Sequence, residues 1–125
     1  MKGPGRQTDS LRLLTRLVED DHIELIGNAY LVAEIGKYAE VFPSITAAGL
    51  LHAVVGKLTL VAPDPRFTAA CLPYFAAPDL PDLLHGATCL QTGALLISND
   101  RHFDRIAKAG VIRRMTLTEA VRALL

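Results

Sequence analysis

The sequence has no excess of charge of either sign, because 13 lysine and arginine residues balance 13 aspartate and glutamate residues. Net charge therefore does not indicate a nucleic-acid partner, and such a function would have to come from a local site. No apolar run approaches the ~20 residues that cross a bilayer. The start, MKGPGRQTDS, lacks the apolar core of a signal peptide. We therefore expect no membrane partner and a cytoplasmic location.

Several catalytic motifs are also absent. The chain has no G-x-S-x-G, no Walker-type glycine-rich loop and no G-x-G-x-x-G after a strand. The usual signatures of nucleophilic hydrolases, P-loop proteins and dinucleotide-binding domains are thus excluded. The two cysteines, Cys71 and Cys89, do not have C-x-x-C spacing. In a cytosolic chain such cysteines are more often reduced and buried than joined in a disulfide.

Composition and pattern indicate a folded α/β chain. Hydrophobic residues make up 50% of the 125 residues, which suits one domain, 1–125, and we expect an irregular start over residues 1–9. Periodicity predicts helices over 10–19, 29–42, 45–58, 65–75, 79–91, 101–109 and 118–125. Apolar runs predict strands over 23–26, 58–63, 94–98 and 111–115. Asp79 is the expected N-cap of helix 79–91, and Gly93 is its expected stop. This alternation favours a three-layer α/β/α fold with a mainly parallel sheet.

Strand topology brings three acidic residues toward one edge of this sheet. In a parallel sheet, ligands bind beyond the carboxyl ends of the strands. Asp100 directly follows the strand 94–98, and Asp82 lies in the first turn of the helix that precedes this strand. Glu34 lies about 10 Å along its helix from that edge, within reach of it.

Glu34 has an unusual position on its helix. It projects from the flank of the buried stripe formed by Leu31, Ile35 and Tyr38, and not from the polar face. A carboxylate held toward the interior needs a partner cation or a proton. Of the acids at this edge, Glu34 is the hardest to explain by an ordinary structural role.

Carboxylates gathered at one edge can hold a metal. Asp104 lies one helical turn beyond Asp100, and together with Asp82 and Glu34 these acids supply the oxygen ligands that Mg²⁺ or Mn²⁺ prefers. A metal held there could activate a water and neutralise the charge that develops on a phosphodiester. His85 and His102 are further candidate ligands or phosphate contacts, or else packed or solvated side chains.

Ordinary structural roles are also open to most of these acids. Asp100 can cap the helix 101–109, Asp82 is favourably placed near a helix N-terminus, and Asp104 can pair with Lys108 at i, i+4. Taken one at a time, each such role is more common than metal binding. The metal hypothesis therefore depends on the acids occurring together.

One long stretch resembles a known family. DLLHGATCLQTGALLISNDRHFDRI, followed by GVIRRMTLTEAV, resembles the C-terminal half of PIN domains, the fold of VapC-type toxin ribonucleases. That pattern has D-x-x-H-x-A opening a helix, a Gly-Ala turn, a hydrophobic strand and T/S-N-D-x-x-F. The resemblance covers residues 79–119 and extends more weakly to LIGNAYLVAEIGKYAEVFPS.

The resemblance implies a function and a set of site residues. Glu34, Asp82 and Asp100 match three family acids that are catalytic and bind metal, and Asp104 matches an acid that sometimes assists. The implied activity is that of an endoribonuclease dependent on Mg²⁺ or Mn²⁺ that acts on RNA. Such proteins are commonly homodimers and are often paired with an antitoxin protein.

The chain departs from this family at its start. PIN domains begin with a hydrophobic central strand that ends in an aspartate, whereas MKGPGRQTD cannot form a buried strand. We therefore expect an N-terminally shortened PIN-like fold with a weaker metal site and reduced or absent nuclease activity. Its sheet must close across the gap, borrow a strand from a partner, or keep exposed edges. A non-catalytic PIN-like protein that binds RNA or an antitoxin is the alternative, and an unrelated α/β domain is a third.

Overall fold

The computed structural model describes residues 4–41, 44–76 and 80–125. The helices are α1 (Pro4–Glu19), α2 (Ala29–Val41), α3 (Ile45–Lys57), α4 (Pro65–Cys71), α5 (Leu80–Thr92), α6 (Asp104–Lys108) and α7 (Leu117–Leu124). The strands are β1 (Ile26–Gly27), β2 (Thr59–Leu60), β3 (Leu95–Ile97) and β4 (Arg113–Met115). Short 3₁₀ turns follow α4 at Leu72–Tyr74 and precede α6 at Arg101–Phe103. The chain is thus a mixed α/β structure in which helices dominate. The last three predicted strands are present but shorter, whereas β1 shares only Ile26 with the predicted strand 23–26.

The strands form two separate parallel pairs. β1 pairs with β2, with Ile26 opposite Thr59, and β3 pairs with β4, with Leu96 opposite Arg114. The parallel direction agrees with the prediction. A continuous sheet does not form among the described residues, because no strand there lies between β1 and β3.

The first helix is longer than predicted. The expectation of an irregular start over residues 1–9 is wrong for residues 4–9, which form the first part of α1. A proline is well tolerated in the first turn of a helix, and Asp9 lies 3.5 Å from the Arg12 guanidinium one turn later. Residues 1–3 lie outside the described residues. Within the described part of the chain, no helix is long and apolar enough to cross a membrane.

Several helix ends agree with the sequence signals. Gly93 follows α5 with a φ of 73°, and its N–H donates to the Cys89 carbonyl at 2.8 Å, as a glycine stop should. The Ser44 hydroxyl accepts the Ala47 N–H at 3.2 Å and caps α3. Asp79, the predicted N-cap of α5, lies outside the described residues.

The core lies mainly among the helices. Its buried residues come largely from α4, α5, α6 and the segments beside them: Cys71, Phe75, Leu83, Ala87, Cys89, Phe103, Ile106 and Ile112. The Phe75 and Phe103 rings meet edge to face with their centroids 5.8 Å apart. By contrast, the three apolar residues of β3 are only half-buried. Strands of a covered parallel sheet are normally buried on both faces, so the strand layer is incompletely packed.

A buried asparagine joins the two halves of the structure. Asn28 follows β1, is 3% exposed, and donates from its side-chain amide to the Thr88 hydroxyl of α5 at 3.0 Å. Its side-chain oxygen accepts the Leu31 N–H at 2.9 Å and so begins α2. One side chain therefore fixes both the start of α2 and the position of β1 against α5.

We expect Asn28→Ala to lower the free energy of unfolding by about 2 kcal/mol, because it leaves buried partners without hydrogen bonds. Urea denaturation followed by circular dichroism measures this change. Asn99→Ala is the matched control, since the exposed Asn99 side chain accepts one hydrogen bond, from the Leu117 N–H at 2.7 Å. We expect this control to cost about 0.5–1 kcal/mol. Equal losses in both variants would contradict the role assigned to Asn28.

The last helix begins with a reciprocal pair of hydrogen bonds. The Thr116 hydroxyl accepts the Glu119 N–H at 3.2 Å, and the Thr116 N–H donates to the Glu119 carboxylate at 2.9 Å. The hydrogen bond from the Thr116 N–H is the largest of the interactions that lower the pKa of Glu119 from its usual 4.5. The charged form is therefore favoured by folding.

We expect the stabilisation from Glu119 to be complete above pH 4.5 and to be lost as the pH falls through the lower pKa of the folded state. Glu119→Gln keeps the acceptor oxygen but does not titrate, so its stability deficit should shrink as the pH falls from 7 to 3. Urea midpoints of both proteins across this range measure the effect. A deficit that grows on acidification would contradict this sign.

Candidate functional site

A cavity of about 660 Å³ is lined by β1, β3 and α5. Residues of both strands and the loops that follow them contribute to its wall, whereas β2 and β4 do not. The cavity therefore lies where the two strand pairs face each other. Glu34, Asp82 and Asp100 all line it, so the three acids that the sequence singled out do share one cavity.

The carboxyl ends of β1 and β3 meet at the same mouth of the cavity. Asn28, directly after β1, contacts the middle of α5 at Thr88. Asp100, shortly after β3, caps the turn that carries His102, and the His102 ring reaches Asp82 in the first turn of α5. β1 thus ends beside the middle of α5, and β3 ends beside its first turn. This arrangement agrees with the expectation from strand topology.

Two aspartates and a histidine form the tightest cluster at this mouth. The His102 Nδ1 atom lies 2.7 Å from the Asp82 carboxylate and 3.4 Å from that of Asp100. One ligand atom from each residue lies within 4.8 Å of the other two, which is close enough for a single cation. Asp100 also accepts the backbone N–H of His102 at 2.9 Å, so the predicted capping role is confirmed. Capping and membership of the acidic cluster are therefore compatible in one residue.

Glu34 is held at the cavity wall by His85. The His85 Nε2 atom lies 2.9 Å from the Glu34 carboxylate, and its Nδ1 atom lies 3.3 Å from the side-chain nitrogen of Asn28. Because the Asn28 amide nitrogen can only donate, Nδ1 accepts and Nε2 carries the proton that is donated to Glu34. Glu34 thus has a protein partner, and because its side chain is 45% exposed it is not held in the interior as the periodicity suggests. Tyr38, placed on the buried stripe by periodicity, is instead 61% exposed.

The structure gives Asp104 a different partner from the one predicted. Its carboxylate forms an ion pair with Arg114 of β4, so the predicted pair with Lys108 is wrong. The Arg114 guanidinium also donates to the Ser98 carbonyl at 3.4 Å. Asp104 is not a member of the cluster formed by Asp82, Asp100 and His102. Arg114 is held beside Asp104 by the pairing of β4 with β3, whereas Lys108 lies on the same short helix as Asp104 and forms no ion pair with it.

The chemistry of the cluster suits a divalent cation with mixed ligands. Carboxylates suit Mg²⁺ and Mn²⁺, whereas an imidazole nitrogen suits later transition metals better. A set of two carboxylates and one imidazole therefore fits Mn²⁺ better than Mg²⁺. His102 is only one of several candidates in the sequence, and the sequence motifs do not identify Asn28. The signal that could have identified Asn28 is its place directly after a strand, at the ligand-binding edge.

The cysteines do not contribute a reactive group. Cys71 and Cys89 are both free and buried, as predicted. Burial raises the pKa of both thiols, that of Cys89 to about 11. Because the thiolate is the metal ligand and the nucleophile, neither cysteine is suited to these roles near neutral pH.

Comparison with known proteins identifies no relative: no protein-family model, curated protein or solved structure matches this chain. The resemblance to PIN domains therefore remains an interpretation of the sequence motifs. Any functional assignment depends on the geometry of the acidic mouth.

Proposed function

We propose that this chain is a metal-dependent endoribonuclease of the PIN type, similar to VapC toxins. Its fold in this proposal is the three-layer α/β/α arrangement of that family. The observation that best supports this function is the convergence of Asp82, Asp100 and His102 at the end of β3. Glu34 lines the same cavity. A homodimer and an antitoxin partner belong to the same proposal, because the sequence resemblance implies them. A cytoplasmic location belongs to it as well, on the composition of the first residues.

Each residue of the mouth has a distinct task in this proposal. Asp82 and Asp100 hold the cation. The His102 ring, which lies between the two carboxylates, supplies either a nitrogen ligand to the cation or a hydrogen bond to the carboxylates. When bound, Mn²⁺ or Mg²⁺ supplies an activated water and neutralises charge on the phosphodiester. Glu34 keeps further lone pairs beyond the one that His85 uses, and these can orient a water. Asp104 supports the end of β3 through Arg114.

Metal affinity is expected to be weak. The cluster contains only two carboxylates, and Mg²⁺ prefers oxygen ligands in near-octahedral geometry. The His102 ring already lies 2.7 Å from Asp82, so binding of a cation must displace this contact or its proton. Nuclease activity is therefore reduced relative to a site with more acids.

A second candidate function is a non-catalytic PIN-like protein that binds RNA or an antitoxin. The observation that favours it is that three of the acids already have a protein side chain as partner. His85 contacts Glu34, His102 contacts Asp82, and Arg114 contacts Asp104. Acids paired in this way can serve structure without a metal.

We expect the chain to bind Mn²⁺ at one weak site in calorimetric titration. Asp82→Asn and Asp100→Asn should each weaken binding by at least about tenfold, because each removes a charged ligand. Asp64→Asn is the matched control: Asp64 caps α4 and contacts Arg66, and asparagine caps a helix equally well. The control should bind like the wild type. Equal affinity in all four proteins would contradict the site, and no binding in any would favour the second candidate.

We expect slow cleavage of single-stranded RNA that requires Mn²⁺ and stops with EDTA. Glu34→Gln and Asp82→Asn should reduce the rate by at least about a hundredfold, because they remove a proton acceptor and a metal ligand. Fluorescence of a quenched oligoribonucleotide measures the rate, and Asp64→Asn should leave it unchanged. Cleavage that survives EDTA or both site variants would contradict the proposal. A gel shift without cleavage would support the binding protein instead.

A further inference from the structure

The inner edge of β1 has unpaired peptide groups. The Leu25 and Gly27 carbonyls accept the N–H groups of Thr59 and Val61 in the β2 segment, at 2.7 and 2.8 Å. Alternate residues of a parallel strand direct their peptide groups to opposite neighbours. The N–H and C=O of Ile26 therefore point away from β2. Ile26 lines the cavity, so its peptide groups face that space.

The edge of β3 has the same property. The Ser98 N–H donates to the Met115 carbonyl at 2.9 Å, and Leu96 lies opposite Arg114 in the ladder. By the same alternation, the peptide groups of Leu95 and Ile97 point away from β4. Among the described residues, neither Leu95, Ile97 nor Ile26 forms a backbone hydrogen bond to a loop or cap. These residues are half-buried, and their inward-facing peptide groups are free to pair with another strand.

The cavity between these edges has the size and direction of a short strand. β1 ends beside the middle of α5 and β3 beside its first turn, both at the mouth of the cavity, so a strand between them can run parallel to both. A strand residue rises about 3.3 Å, with neighbours about 4.8 Å and layers about 10 Å away, and so fills about 160 Å³. The cavity of about 660 Å³ therefore has room for about four such residues. The half-buried state of Leu95, Leu96 and Ile97 is the expected result of leaving this space unfilled.

The lining defines the chemistry of the occupant. Much of the wall consists of aliphatic side chains from β1, β3 and α2, which suits an apolar segment. Glu24 lies before β1, at the end opposite the mouth, and the mouth carries Glu34, Asp82 and Asp100. Among the described lining residues there is no lysine or arginine. Charge complementarity therefore favours a segment with basic residues on both flanks.

We propose that this cavity binds an extended apolar segment of a partner polypeptide, about four residues long and flanked by lysine or arginine, as a strand parallel to β1 and β3. The segment hydrogen-bonds to Ile26 on one edge and to Leu95 and Ile97 on the other. This binding does not depend on the proposed nuclease activity, because it uses the strand edges and not the metal.

The first test uses synthetic peptides and the full 125-residue chain, in buffer with EDTA. A fluorescein-labelled peptide with the core Val-Ile-Val-Ile and two lysines at each end should bind in an anisotropy titration. The same core with glutamate flanks should bind about tenfold more weakly because the cavity is acidic. A proline in place of the second valine should also weaken binding by about tenfold or more, because it removes a ladder hydrogen bond. Equal binding of all three peptides would overturn the proposal.

The second test uses two matched proline variants. Ile26→Pro removes the N–H that points into the cavity, and should weaken binding of the lysine-flanked peptide about tenfold. Leu60→Pro is the control, because the Leu60 N–H points to the outer edge of β2 by the same alternation, and it should bind like the wild type. Thermal melts without peptide establish that both variants fold. Equal weakening by the two variants would overturn the edge-specific contact.

Hydrogen exchange on the wild-type chain keeps the proposal testable if Ile26→Pro does not fold. Saturating lysine-flanked peptide should slow exchange of the Ile26, Leu95 and Ile97 amides by at least about tenfold and leave Leu60 unchanged. Unchanged exchange at the inner edges would overturn the proposal. Analytical ultracentrifugation of the chain alone gives a second check. A dimer that Ile26→Pro abolishes would also overturn the proposal, because a second copy of the chain would then occupy the cavity.

Discussion

Helix α5 holds the two strand pairs in one structure, because the pairs share no ladder with each other among the described residues. The Asn28 amide joins the end of β1 to Thr88 of α5 in a site that is 3% exposed. On the other side, α5 contributes Leu83 and Ala87 to the core that contains Phe103 and Ile106. Since a buried amide without partners costs about 1–3 kcal/mol, the Asn28 amide strongly favours the position in which β1 ends beside Thr88. The relative position of the halves therefore depends on these contacts to α5, together with the packing of α1 against α7.

The same helix builds the acidic mouth. Asp82 and His85 lie three residues apart, so they share one face of α5. Asp82 reaches His102 in the turn after β3, and His85 reaches Glu34 on α2. The D-x-x-H spacing thus lets α5 contact the turn after β3 through Asp82 and helix α2 through His85. A shift in the rotation of α5 would alter both contacts together.

Strand topology predicted the shared edge well, because the carboxyl ends of parallel strands and the start of the intervening helix must meet there. The sequence also predicted the glycine that ends α5, Gly93, and the capping role of Asp100. The partner of Asp104 was not, because pairing with Arg114 depends on the register between β3 and β4. The separation of the strands into two pairs, with a cavity between their edges, depends on tertiary packing that sequence patterns do not describe.

The cavity and the acidic mouth are coupled because they share carboxylates. A basic flank that follows a strand bound in the cavity would lie beside Asp82 and Asp100, which are also the candidate metal ligands. Two cations cannot use the same carboxylates without mutual repulsion. By linkage, the strand then lowers the affinity for metal by the same factor by which metal lowers the affinity for the strand. A partner segment bound between β1 and β3 would therefore oppose metal binding at the mouth without contacting RNA.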